Sequence, residues 1–142
     1  MNSFVEHPTG LMEGLIRESF SALVSELPEY YGAMCTCMAG KAVEMNIGME
    51  TFCICFDENS ARFVESIPQL VIHTDRQTIL DTVDGQTNVY AALLENRLSI
   101  KGTLDDLVKL QTALIAYLNG ALRCSVFPEL LNRLRDIDPA ET

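Results

Sequence analysis

Lys41-Ala42-Val43-Glu44-Met45-Asn46-Ile47-Gly48-Met49-Glu50-Thr51-Phe52-Cys53-Ile54-Cys55-Phe56 is the stretch on which the fold class turns. Val43, Met45 and Ile47 alternate with Ala42, Glu44 and Asn46, a period of two that puts one set of side chains on one face of a strand. Gly48 supplies a turn, and Thr51 to Asp57 reads as a second strand. Asp57-Glu58-Asn59-Ser60 has the composition of a turn. Arg62 to Ile67 follows as a third strand, Pro68 interrupts, and Leu70-Val71-Ile72-His73-Thr74 forms a fourth. Connections this short predict a meander of antiparallel hairpins.

Helical periodicity flanks this block on both sides. Met12, Leu15, Ile16, Phe20, Leu23, Val24 and Leu27 recur at helical spacing, so a helix capped by Thr9 is predicted from Gly10 to Leu27, with Pro28 ending it. A short helical turn is predicted around Tyr30 to Met38. After the strands, Asp75 caps a helix over Arg76 to Val83, Asp84-Gly85 breaks it, and another helix covers Asn88 to Glu95. Arg97 to Lys101 alternates as a fifth strand. Thr103-Leu104-Asp105-Asp106 has the form of a capping box, opening a helix to Asn119 with Gly120 as its C-cap. A final amphipathic helix starts near Pro128 and presents Leu130, Leu131, Leu134 and Ile137. The order predicts an α+β fold, a five-stranded, mostly antiparallel twisted sheet with helices packed on one face. The chain reads as a single domain over 1–142, with a helical extension at about 9–27, a core at about 28–123 and a terminal helix at about 127–137.

Composition narrows the class. The chain has 142 residues, and a domain of that size buries roughly 70% of its unfolded surface. It is 48% apolar and 21% charged, which excludes a disordered, collagen-like or coiled-coil chain. Its apolar runs fall far short of the ~20 residues that span a bilayer. The start, Met1 to Pro8, lacks the basic and apolar regions of a signal peptide, and Pro139-Ala140-Glu141-Thr142 is not a peroxisomal address. A soluble, cytoplasmic protein is expected. The net charge of −10 disfavours nucleic acid, which needs a basic stripe to displace counterions. It also limits any contact with an anionic membrane to a transient one through an apolar face.

The residues do not assemble catalytic chemistry. Five cysteines, Cys35, Cys37, Cys53, Cys55 and Cys124, include two Cys-x-Cys pairs, but zinc knuckles place two to four residues between ligands. Phe52-Cys53-Ile54-Cys55-Phe56 reads as a strand, and its thiols as small packing groups. The histidines are His7, in the terminal segment, and His73, in a strand. There is no Gly-x-Ser-x-Gly elbow, no phosphate loop at Gly40-Lys41-Ala42 and no dinucleotide glycine fingerprint. Asp57-Glu58 and Asp105-Asp106 sit in a turn and a first helical turn, where carboxylates have local partners. No enzyme, metal or cofactor is expected.

The helix after Gly102 carries more information. At 100° per residue, Leu104, Leu107, Val108, Leu114, Ile115 and Leu118 form one apolar arc, with Gln111 near its middle. A buried amide needs a partner, and either a nearby backbone group or a ligand could provide one.

Asn88-Val89-Tyr90-Ala91-Ala92-Leu93-Leu94-Glu95-Asn96-Arg97-Leu98-Ser99-Ile100-Lys101-Gly102, continuing to Lys109-Leu110-Gln111, resembles the signature half of the sterol carrier protein type 2 (SCP-2) domain family. Asn88, Ala92, Arg97, Leu98, Ile100, Gly102 and Lys109-Leu110-Gln111 match the family pattern. Val89 replaces its proline, Tyr90 its glutamine, Leu93-Leu94 its two aromatics and Asn96 a glycine. The order of elements matches over about residues 28 to 120.

The resemblance implies a non-catalytic carrier of lipids, sterols, fatty acyl chains or similar apolar molecules. It also implies an apolar tunnel between sheet and helices. The expected lining is Phe52, Ile54 and Phe56 from the sheet, with Tyr90, Leu93, Leu94, Leu104, Leu107, Val108, Gln111 and Ile115 from the helices. Leu130 and Leu131 are expected on a terminal lid helix, Pro128 to Arg135. The alternative is an accessory interaction module, a homodimer or a partner-binding scaffold such as serves isoprenoid quinone synthesis.

Overall fold

The alternating stretch forms a hairpin. In the computed structural model, which describes residues 10–136, β1 (Ala42–Ile47) pairs antiparallel with β2 (Glu50–Phe56) in the register Val43↔Ile54 and Met45↔Phe52. Gly48 turns the chain with φ 61°, a conformation that glycine adopts without steric cost. Val43, Ile47, Phe52 and Ile54 are buried on the inner face of the sheet. Thr9, His7 and Ile137 lie outside the described residues.

The meander is not continuous. β3 (Ala61–Arg62) pairs with β2, but β4 (Leu70–Thr74) pairs parallel with β1 on its other side, giving the order β3-β2-β1-β4-β5. The expectation of hairpins throughout is corrected here, because a parallel crossover does not require a helix. Crossing three inter-strand gaps takes roughly 14 Å, and the connection 63–69, when extended, reaches about 23 Å. It passes over the outer face, where Cys53 donates to the carbonyl of Ser66 and Cys55 to that of Val64. Gln69 then locks onto Ala42 in both directions, side chain to amide and amide to carbonyl. The third strand is therefore two residues long, and 63–67 is not a strand. The sheet is mostly antiparallel, with this one parallel pair.

On the inner face lie α1 (Leu11–Glu26), α2 (Pro28–Met38) and α5 (Leu104–Ala121), with α5 packed chiefly on α2. Glu50 caps α1 from a distance: its carboxylate accepts from the amides of Met12 at 2.7 Å and Glu13 at 3.2 Å. A Cβ at Gly10 would stand 2.0 Å from that carboxylate. α3 (Arg76–Val83) is capped by Asp75, and α4 (Val89–Leu94) by Asn88. After α4, Asn96 takes φ 62°, the left-handed conformation that asparagine tolerates better than most residues, at the position where the resemblance expects glycine. β5 (Ser99–Lys101) completes the sheet, paired antiparallel with β4.

Two features of α5 differ from expectation. Thr103 accepts from the Asp106 amide, but the Asp106 carboxylate turns away to Lys41 Nζ at 3.0 Å, so only half of the capping box forms. Gly120 lies inside the helix and is not its cap. A Cβ there would stand 2.5 Å from Leu23 and 2.7 Å from Tyr30, so glycine permits the close approach of α5 to α1 and α2. α6 (Phe127–Arg135) packs on α1 and α3 and buries Leu130 and Leu134.

The ion pairs set an acid limit on stability. Lys41 beside Asp106, Arg97 beside Asp81 and Arg133 beside Glu18 hold these carboxyls below their ordinary pKa range, chiefly by hydrogen bonding. A carboxyl depressed in the folded state stabilises the fold above its unfolded pKa and loses that contribution as pH falls through the depressed value. The melting temperature is expected to hold from neutral pH down to the ordinary carboxylate range and to fall below it. Asp106→Asn should lower the melting temperature at pH 7 and flatten the acid limb. Parallel acid profiles for the variant and the parent protein would contradict the assignment.

Candidate apolar ligand site

α5 has two apolar faces. Leu110, Ala113 and Ala121 face the core and are buried. The arc centred on Gln111 faces away from the sheet toward α4, and several of its members remain unburied: Leu104 is 78% exposed and Ile115 is 55% exposed. Between α4, β5 and α5 lies a groove of about 340 Å³. Val89, Tyr90 and Leu93 wall it from α4 and Ile100 from β5, while Leu107, Leu110, Gln111, Leu114, Ile115 and Leu118 wall it from α5. Specific small-molecule sites typically start near 300 Å³.

A second, smaller space of about 100 Å³ lies between the sheet and α1, α2 and α5. Ile54, Phe56, Val43, Met45 and Ile72 form its floor, and Phe20, Met34 and Tyr117 are among its other walls. Leu110 and Leu114 border both spaces and stand between them. Tyr117 is the hydroxyl of the inner space. It donates to Ser19 Oγ at 2.7 Å while Ser19 donates to the carbonyl of Ile16, and burial pushes its pKa up.

The expected site residues therefore divide among several places. Tyr90, Leu93, Leu107, Gln111 and Ile115 line the groove, and Ile54 and Phe56 line the inner space. Phe52 lines neither, since its ring packs 6.0 Å from that of Phe63. Leu94, Leu104 and Val108 line neither of these spaces and stand exposed, Leu94 at 85%. Leu130 is buried in the core beside α1, with Leu131 packed against it, because α6 docks on α1 and α3, away from the α4–α5 groove. The terminal helix does not cover the groove, and the single tunnel expected from the sequence is two abutting spaces.

Gln111 is exposed. Its Nε2 donates to Tyr90 Oη at 3.0 Å, so its partner is neither of those expected. Leu110, Leu114 and Leu118 were legible as arc or motif residues, but the contributions of Val89 and Ile100 depend on how α4 and β5 meet α5. Of the motif residues, Arg97 pairs with Asp81 at 2.6 Å, tying the segment before β5 to α3. Lys109 pairs with Asp105. His73 is exposed on the outer face, and among the described residues no group of three or more His, Cys, Asp or Glu is placed to hold a metal.

Fold and site together define an α+β domain with an open apolar groove between helices beside a five-stranded sheet. That architecture is the sterol carrier protein 2 fold. The chain superposes on the structure named UbiJ-SCP2 ubiquinone synthesis protein with a TM-score of 0.54 at 13% identity, covering 74% of this chain and 98% of that one. It matches sterol carrier protein 2 like 2 from Aedes aegypti at 0.52 and 16% identity, covering 74% and 95%. It matches the sterol carrier protein domain 2 of Helicoverpa armigera at 0.54 and 11% identity, covering 87% and 98%. No protein-family model and no curated protein sequence matches the chain. Among the described residues no helix is long and apolar enough to cross a membrane.

Proposed function

We propose that this protein is a non-catalytic carrier that holds an apolar small molecule in the groove between α4 and α5. One observation carries the reading: α5 presents an apolar face that its own fold leaves unburied, at the edge of a groove of about 340 Å³. Monomeric proteins seldom keep such a surface without a use for it. The likeness to a structure named as a ubiquinone synthesis protein fits an accessory lipid-binding role, with any membrane contact transient. A cytoplasmic setting, where five free thiols persist reduced, belongs to the same reading.

Titration of the purified full chain with Nile red, a neutral apolar dye, tests this. Saturable binding near one equivalent, with a blue-shifted emission, is the expected result. Absence of saturation, with gel filtration showing a dimer, would replace the carrier with the interaction module.

A further inference from the structure

Two thiols stand together on the outer face of the sheet, away from the helices. Cys53 and Cys55 alternate on β2 with the buried Phe52 and Ile54, so strand alternation puts both on the same side. They reach one strip of backbone: Cys53 Sγ donates to the carbonyl of Ser66 at 4.0 Å and Cys55 Sγ to that of Val64 at 3.7 Å. Both are half-buried, whereas Cys35 and Cys124 are buried and Cys37 donates to the carbonyl of Lys109 on α5. Burial, and after it the neighbouring Cys55 thiol, pushes the Cys53 pKa up.

A strand rises about 3.4 Å per residue, so the two Cα atoms stand about 6.8 Å apart with their side chains parallel. A disulfide needs its Cβ atoms within about 4.5 Å, so this pair is poorly placed to close on itself. An ion between the sulfurs relaxes that demand: on the scale of a zinc–sulfur bond, about 2.3 Å, a linear ion holds two sulfurs about 4.6 Å apart. Among the described residues no group of three or more His, Cys, Asp or Glu is placed to hold a metal, so zinc, which asks for four ligands, is unsuited. Copper(I) is soft and prefers thiolate, and as a closed-shell monovalent ion it is satisfied by two. Cys53 also lines an open cleft of about 500 Å³ with Glu13, Glu50 and Glu65, and carboxylates favour the approach of a cation.

We propose that Cys53 and Cys55 form a two-thiolate site for a soft monovalent cation, copper(I). One copper(I) ion and two thiols give a copper bis-thiolate and two protons: two Cu–S bonds form, two S–H bonds break, and copper keeps its oxidation state. The thiol donations to Val64 and Ser66 are given up, and at 3.7 Å and 4.0 Å they are long and weak. The site is independent of the carrier reading, since neither cysteine lines the groove between α4 and α5.

Titration of the reduced full chain, under nitrogen, with copper(I) buffered by bicinchoninate tests it. The protein should withdraw one equivalent of copper(I), and iodoacetamide should then leave Cys53 and Cys55 unalkylated by mass spectrometry while modifying them in the metal-free protein. X-ray absorption at the copper edge should show two sulfur neighbours. Cys53→Ser and Cys55→Ser should each weaken copper(I) by at least about a hundredfold, more than the loss of a residue outside a metal's ligand set costs. Cys37→Ser should leave the affinity unchanged. Where a serine variant fails to fold, the alkylation pattern of the wild-type protein decides, since protection of cysteines other than Cys53 and Cys55 places the ion elsewhere. The proposal is overturned if no copper(I) leaves the bicinchoninate, if uptake persists in Cys53→Ser/Cys55→Ser, or if zinc(II) binds the same thiols as tightly as copper(I).

Discussion

Leu93→Trp/Ile115→Trp is expected to weaken Nile red binding more than tenfold and to leave the melting temperature within about 3 °C of wild type. Both positions line the groove, one on α4 and one on α5. Both side chains are already partly in water, Leu93 at 37% and Ile115 at 55% exposure, so larger rings need not invade the core. Two indoles closing the mouth would deny a ligand roughly 100 Å² of apolar contact. At about 25 cal/mol per Å² that is about 2.5 kcal/mol, or nearly two decades in affinity. Fluorescence titration beside a thermal melt reads both quantities. Unchanged affinity would move the binding site elsewhere, with the inner space beneath Leu110 and Leu114 as the next candidate.

Phe20→Ala is expected to lower stability by about 3–5 kcal/mol, the usual cost of removing a buried aromatic ring. Phe20 is buried in α1, with its ring centroid 6.0 Å from Tyr31, 5.5 Å from Phe63 and 5.6 Å from Tyr117. It therefore ties α1 to α2, to the crossing segment after β3 and to α5. It also walls the inner space, so truncation enlarges a void that already exists and the neighbours have little reason to collapse into it. The melting temperature should fall by roughly 10–15 °C. A fall of only a degree or two would mean that α1 is dispensable to the core. Phe20→Leu, which keeps most of the volume, should cost well under half as much.

Most of the elements were legible because their signals are local. The period of two in 42–47, the helical spacing in 12–27, and the caps at Asp75 and Thr103 all act over a few residues. They specify a strand or a helix start wherever the rest of the chain goes. The apolar arc of α5 with Gln111 at its middle was equally readable, since it depends only on 100° per residue.

Partners distant in sequence were not legible. Nothing in Arg62 to Thr74 states that β4 will pair with β1 and not follow β3, because strand pairing is decided by which edge is open and how far the connection reaches. Gly120 looked like a helix cap because a glycine near a helix end usually is one; its real role depends on Leu23 and Tyr30, which approach from the other helices. The Asp106 carboxylate forgoes its own helix for Lys41, and Glu50 caps a helix 38 residues earlier. The site divides in the same way. The sequence by itself determined that α5 carries more apolar surface than one core can use. Only the tertiary structure decided which part of it faces the sheet, which part faces the groove, and that Tyr90 meets Gln111 there. Local backbone preference acts within a turn or two of helix, whereas a groove exists only where two separately specified elements stop short of contact.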